Sequence, residues 1–362
     1  MTRKMLPTKG VGLAKMKPVA VDLFCGAGGL TYGLEQAGVR VAVGVDVDRH
    51  CAYPFEANTN AKFVCQDIQK IGGEEIVKAW GSAGTRVLVG CAPCQAFSTY
   101  TQGGRGKRDK RWVLLKKFAD LIEETTPDVV SMENVTPLED TEVFRRFVKR
   151  LEQYGYNVEY DIVDCRDYGA AQMRRRLVLL ASRLGAIELV RPTPKEQASR
   201  TSVRDAIAHL PKLKAGEVSP NDPLHRSASL TELNLRRIRA SRPGGTWRDW
   251  PETLVADCHT KKSGRTYPGV YGRMEWDKPS PTITGQCFGY GNGRFGHPEQ
   301  DRALSLREAA ILQTFPDTYA FIRGDEKFPG MTNIGRMIGN AVPPLLGKVI
   351  GRSIVKHLRE MA

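Results

Sequence analysis

Between Pro18 and Arg183 short, β-branched apolar runs alternate with stretches of helical periodicity, and this alternation restricts the architecture more than any other feature of the chain. VAVDLFC, VRVAVGVDVD, KFVCQDI, RVLVGCA, PDVVSMENV, NVEYDIVDC and RRLVLLASR have the composition of strands. LTYGLEQAG, closed by Gly38, RHCAYPFEAN, KKFADLIEE and TEVFRRFVKRLEQYG have that of helices. Strands apolar on both faces and separated by helices predict an α/β fold with a doubly wound, mostly parallel sheet. In such a sheet ligands bind in the crevice beyond the carboxyl ends of the strands.

The alternation stops after Arg183. From about Val190 to about Gln300 the chain mixes Pro, Gly, Arg and Trp without long periodic elements, apart from one helix in TSVRDAIAHLP, where Ser202 and Asp205 form an N-cap pair. This texture predicts a second, smaller, irregular domain. Its basic and aromatic content suits a groove-reading surface, and a long solvated loop region is the alternative. SLRE at 305–308 is a capping box opening a further helix, and LLGKVIGRSIVKHLREM returns to the first domain. Residues 1–17 are basic and aperiodic, which predicts a flexible arm. The expected division is therefore 18–185 plus 332–362 for the first domain and 186–331 for the second.

Lys and Arg number 54 against 40 Asp and Glu, a formal charge of +14, which favours a polyanionic partner. No apolar run is long enough to span a bilayer and no signal-peptide core is visible, so a soluble, intracellular protein is expected. The eight cysteines lack framework spacing, as in a reducing compartment.

Several strand ends carry chemistry. GCAPCQAFS at 90–98 places Cys94 in a polar loop after a buried strand, where a thiol has three readings: a nucleophile, an inert loop cysteine, or half of a redox pair with Cys91. Zinc is disfavoured because no second cysteine pair stands at ligand spacing. DLFCGAGG at 22–29 is a strand-to-helix glycine loop, and Asp46 ends the next strand, where an acid can take both hydroxyls of a ribose. Thr31 stands where the dinucleotide fingerprint requires a third glycine, so a single nucleoside is the better expectation. Asp67 ends the third strand within reach of an adenine amine. Glu133, in MENV, falls on the same rim as Cys94, and QMRRR puts Arg174 and Arg176 on one face of a strand, as a fork for a carbonyl or phosphate or as an ordinary basic strand start.

In this order, DLFCGAGG, Asp46, QDI, PCQ, ENV, QMRRR, SLREAAILQTFPD and IGNAVPP resemble the DNA cytosine-5 methyltransferases, with a DxRxxL segment at Asp109, Arg111 and Leu114. The resemblance implies a Rossmann-like methyltransferase sheet with a target-recognition domain, and S-adenosylmethionine as cofactor. It implies that Cys94 adds to C6 of a cytosine flipped out of the duplex. Glu133 would meet N3 and the exocyclic amine, and Arg176, supported by Arg174, would bind O2. Phe24, Gly26, Ala27, Gly29, Asp46, Asp67, Ile68, Leu114, Asn340 and Ala341 would line the cofactor site; Gln95, Ser98, Arg111, Thr282 and Arg294 would contact DNA. The implied protein is a metal-free enzyme acting as a monomer on double-stranded DNA in the cytoplasm of a bacterial, archaeal or phage-type host. Alternatives are a tRNA cytosine-5 methyltransferase and a non-catalytic nucleic-acid-binding protein on the same fold, although the latter would be expected to lose Cys94 or Glu133. A dehydrogenase is disfavoured by Thr31 and by the motif order.

Overall fold

The structure is a computed structural model that describes residues 18–93, 112–198, 201–261, 264–324 and 327–362. All seven expected strands form: β1 (Val19–Leu23), β2 (Arg40–Asp46), β3 (Lys62–Cys65), β4 (Arg86–Gly90), β5 (Val129–Val135), β6 (Asn157–Asp164) and β7 (Arg175–Ser182). They make one sheet in the order β3-β2-β1-β4-β5-β7-β6. β1 to β5 run parallel, and β7 lies antiparallel between β5 and β6.

Period-two alternation sends successive side chains to opposite faces, and both faces are covered. Val19, Val21 and Leu23 of β1 pack with Leu88, Met132 and Leu179 under the helices Gly73–Trp80, Val113–Thr125 and Glu142–Gln153. Ala20, Val87, Val89 and Leu180 face the other way, toward the helices Gly29–Gln36 and Pro344–Glu360. With strands apolar on both faces, only a central, doubly covered sheet removes their area from water.

The region after Arg183 is irregular, as expected, but it is not limited to the Val203–Ile207 helix: Glu232–Ala240 forms a nine-residue helix capped by Thr231. A small core gathers there from Ile238, Trp247, Trp250, Leu254, Tyr290 and Ala303. Residues Leu304 to Phe321, assigned from sequence to the second domain, lie in a cluster that runs through both regions. Leu306, Ala310, Phe315, Tyr319 and Phe321 pack with Leu30, Leu34 and Phe55. The Tyr319 hydroxyl donates to Ala27 O at 2.6 Å, and Asn58 donates to Ala320 O at 2.9 Å. The helix Met331–Asn340 follows and leads into Pro344–Glu360.

Candidate active site

Every parallel strand delivers its carboxyl end to one rim, and the reversed direction of β7 brings its beginning to that same rim. A cavity of about 560 Å³ opens there, lined among others by Phe24, Asp46, Glu133, Arg176 and Asn340.

The glycine loop after β1 turns through left-handed backbone at Phe24 (φ 63°), Gly26 (φ 52°) and Gly28 (φ 91°). A phenylalanine in that region is strained, and such strain concentrates where a site requires it. The helix Gly29–Gln36 starts from Gly28 without a side-chain cap, so its first N–H groups belong to the loop. Asp46 ties the rim together: its carboxylate accepts from Gly26 N at 2.9 Å and from Asp48 N at 2.8 Å. Burial raises its pKa, and those two hydrogen bonds counter part of the rise. Asp22, inside β1, is 1 % exposed; Thr31 Oγ1 donates to its Oδ2 at 2.7 Å, while Oδ1 has no hydrogen-bond partner. Burial, reinforced by the charge of Asp46, pushes its pKa up to about 7.

Glu133 stands 3 % exposed in β5. Arg176 pairs across the antiparallel ladder with Val135, so its side chain shares a face with Glu133 on the diagonal. Arg176 Nε lies 3.0 Å from Glu133 Oε1, but the N–H does not point at that oxygen, which is left without a hydrogen bond. The ion pair is therefore Coulombic and leaves Oε1 without a hydrogen bond in a residue that lines the cavity. Arg174 precedes β7 rather than lying in it. It is 2 % exposed and donates to the carbonyls of Ile283, Gly339 and Ala341. Burial, then the charge of Arg176, lowers its pKa to about 9, which leaves it a cation at neutral pH. Its described contacts are to backbone of the middle and C-terminal segments, so it braces the rim on which Arg176 sits.

Of the expected cofactor residues, Phe24, Gly26, Asp46, Asn340 and Ala341 line the cavity. Ala27 and Gly29 are buried behind it, Ala27 as acceptor for Tyr319. Asp67 caps the short helix Ile68–Lys70 through Gln69 N at 3.0 Å, and neither it nor Ile68 or Leu114 is among the described lining residues. Cys94, Gln95, Ser98 and Arg111 lie outside the described residues. Thr282 donates to Met173 O and so docks the middle region on the entry to β7; Arg294 is half-buried, with Nε unpartnered. Sequence reasoning passed over Asp22, Asp48 and Arg336, which also line the cavity. Asp22 had a signal, an acid inside an otherwise apolar strand. Arg336 pairs with Asp48 at 2.7 Å across hundreds of residues of chain, which no local pattern could announce. Among the described residues no group of His, Cys, Asp and Glu is arranged to hold a metal.

A glycine loop after β1, an acid ending β2 and a reversed penultimate strand carrying a cation to the rim define a Rossmann-like methyltransferase. In solved structures the fold recurs in a prophage-encoded DNA modification methyltransferase of E. coli (TM-score 0.72, 20% identity, covering 95% of this chain and 100% of that one). It recurs also in the Dnmt2 methyltransferase of S. pombe (TM-score 0.60, 16% identity, 95% and 99%). The profile of the C-5 cytosine-specific DNA methylases matches residues 19–356, and the chain belongs to that family as a DNA cytosine-5 methyltransferase. It is 49% identical to the type II methylase M.HgiDII of Herpetosiphon aurantiacus over 95% of this chain and 96% of that protein. It is 31% identical to the type II methyltransferase M1.HphI of Haemophilus parahaemolyticus over 93% and 86%.

Proposed function

We propose that the protein methylates C5 of a cytosine within a specific sequence of double-stranded DNA, using S-adenosylmethionine and a covalent adduct through Cys94. The observation that carries this reading is the pairing of a buried Glu133, one oxygen without a hydrogen bond, with Arg176 at the rim where β4, the strand that PCQ follows in the sequence, also ends.

The cavity fits the cofactor: the orphaned Asp22 Oδ1 and the glycine loop offer an acceptor and close backbone approach, and Phe24 offers a ring to an adenine. Phe24, Gly26, Asp46, Asn340 and Ala341 would hold it, and when bound it supplies an electrophilic methyl group on a sulfonium. The chain's own residues do the rest. The Cys94 thiolate forms a bond to C6 while Glu133, protonated from solvent before the base enters, gives that proton to N3 and becomes a carboxylate, so the displaced ring electrons collect toward C5 instead of building an anion. Arg176 offsets negative charge at O2, and Arg174 braces it. Once C5 is methylated its proton passes to water, the C5–C6 double bond re-forms as Cys94 departs as thiolate, and N3 returns its proton to the Glu133 carboxylate.

The reacting atoms of a stacked base are out of reach, so the base leaves the duplex. The charge of +14 supplies affinity for the backbone, and the basic middle region, which includes Thr282 and Arg294, supplies sequence readout. The type II names of the relatives favour a role in restriction-modification. We take residues 186–331 to contain the target-recognition unit and the enzyme to act as a cytoplasmic monomer; no helix among the described residues is long and apolar enough to cross a membrane.

The test is bisulfite sequencing of mixed-sequence duplex DNA after incubation with S-adenosylmethionine, beside a tRNA substrate and Cys94→Ser. Cytosines protected in one DNA context and lost with Cys94→Ser, with duplex binding retained, are expected. Unchanged methylation by Cys94→Ser would sink the covalent route, and protection confined to tRNA would transfer the chemistry to RNA.

A further inference from the structure

Cys91 sits where β4 ends and points its thiol into the rim. Its Sγ–H donates to Glu133 Oε2 at 2.7 Å. The backbones on both sides are pinned: Cys91 N donates to Leu23 O at 3.3 Å, Glu133 lies within the β5 ladder, and Asn134 Nδ2 donates to Ala92 O at 3.0 Å. Burial first, and then the charge of Glu133, push the thiol well above its ordinary pKa. The proton therefore stays on sulfur, and Glu133 Oε2 is the acceptor.

Among the described residues Cys91 is the one hydrogen-bond donor to this carboxyl group. The charged and titratable groups facing Glu133 are Cys91 from the end of β4, Cys165 from the turn after β6, and Arg174 and Arg176 from β7 and its entry. Arg176 is an ion-pair partner that does not direct an N–H at Oε1. A carboxylate attracted at one oxygen without a directed bond can still turn about its terminal torsion, which is soft. A second anchor on the opposite oxygen removes that freedom.

We propose that Cys91 is a positioning residue for methyl transfer: its thiol fixes Oε2 of Glu133 so that Oε1 is presented to the cytosine ring. The proposal rests on the reading of Glu133 as the group that meets N3. It gives the first cysteine of the CxxC a role distinct from redox pairing or metal binding, one that depends on its being a neutral donor. Precise orientation of a proton donor matters because transfer efficiency falls steeply with misplacement.

The experiment compares wild type, Cys91→Ala, Cys91→Ser, Glu133→Gln and the Cys91→Ala/Glu133→Gln double variant. Readouts are steady-state methylation of mixed-sequence duplex DNA, single-turnover rates for the slow variants, and cofactor affinity. Cys91→Ala should lower kcat about tenfold, as loss of one hydrogen bond to a charged group predicts. The KM for DNA and cofactor affinity should stay near wild type. Cys91→Ser, which keeps a donor, should recover most of the rate, and in the Glu133→Gln background Cys91→Ala should add little further loss. The proposal falls if Cys91→Ala keeps wild-type kcat, if serine is as slow as alanine, if the loss lies in KM or cofactor affinity, or if it persists undiminished beside Glu133→Gln. Glu133→Gln turning over like wild type would instead refute the role of Glu133 itself.

Discussion

Asp22 at the rim of the sheet and Glu308 in the helix Leu306–Leu312 are both about 1 % exposed, yet their surroundings treat them in opposite ways. Glu308 accepts from Arg302 Nη1 and Nη2 at 2.7 Å each and from Ser305 N at 2.7 Å, with His297 3.7 Å away. Burial works against the charge, but the Arg302 fork outweighs it and holds the pKa near 2. Asp22 has Thr31 on one oxygen and nothing on the other, and its pKa rises to about 7. A buried carboxylate whose bonds are complete is structural; one left half-made beside a cavity is prepared for a ligand. Glu133 Oε1 and Arg174 Nε, also without hydrogen bonds, belong to the same rim.

The largest effect should come from breaking the complete pair. Arg302→Met leaves Glu308 charged and unpaired in the interior, at a cost of about 3–5 kcal/mol, measurable by denaturant unfolding at pH 7. Pairing it with Glu308→Leu should recover most of that loss; no recovery would mean that Arg302 acts through packing alone.

The next test uses pH. Asp22 has a folded pKa above its ordinary 3.8, so the folded state takes up its proton more readily. Its stabilisation is therefore present at low pH and is lost as pH rises from about 4 through about 7. Asp22→Asn should cancel that loss and gain roughly 1–3 kcal/mol at pH 8 relative to wild type, with little difference at pH 4. A constant difference across the range would remove the burial argument. Glu308 and His297 pull the other way. His297 is held down to about 4 chiefly by burial, and Glu308 near 2. Their contributions are intact above their ordinary values and fade on acidification, from about pH 6.5 to 4 for His297 and from about 4.5 to 2 for Glu308.

The smallest effect probes the edge of the same cluster. Ser305 caps the helix by accepting from Glu308 N at 3.0 Å while Glu308 reaches back to Ser305 N. Ser305→Ala should cost about 1 kcal/mol, seen as a lowered melting midpoint with methyl transfer unchanged. A cost as large as that of Arg302→Met would show that the cap, and not the ion pair, organises the cluster.

The capping box at Ser305 was legible in four letters because its logic is local, and so were the strands, whose apolar runs have no alternative on a doubly covered sheet. The helix Gly73–Trp80 escaped notice because only Ile76 and Trp80 are buried in it. The helix Met331–Asn340 was hidden by its glycines: a Cβ at Gly339 would lie 2.1 Å from the backbone of Thr284, so close approach, not helix propensity, selects the residue. No local pattern announced the bonds of Tyr319 to Ala27 O and of Asn58 to Ala320 O, because their partners lie far back in the chain.

By itself the sequence determined the alternating α/β architecture, the strand ends that carry Asp46 and Glu133, and the motif order that marks the family, because each is written in short periodic or contiguous stretches. Only the tertiary structure decided that β7 runs against its neighbours, which sets Arg176 diagonal to Glu133, and that the thiol of Cys91 closes on the opposite oxygen. Those relations depend on strand direction and on distances between residues some forty positions apart, and local periodicity carries no information about either.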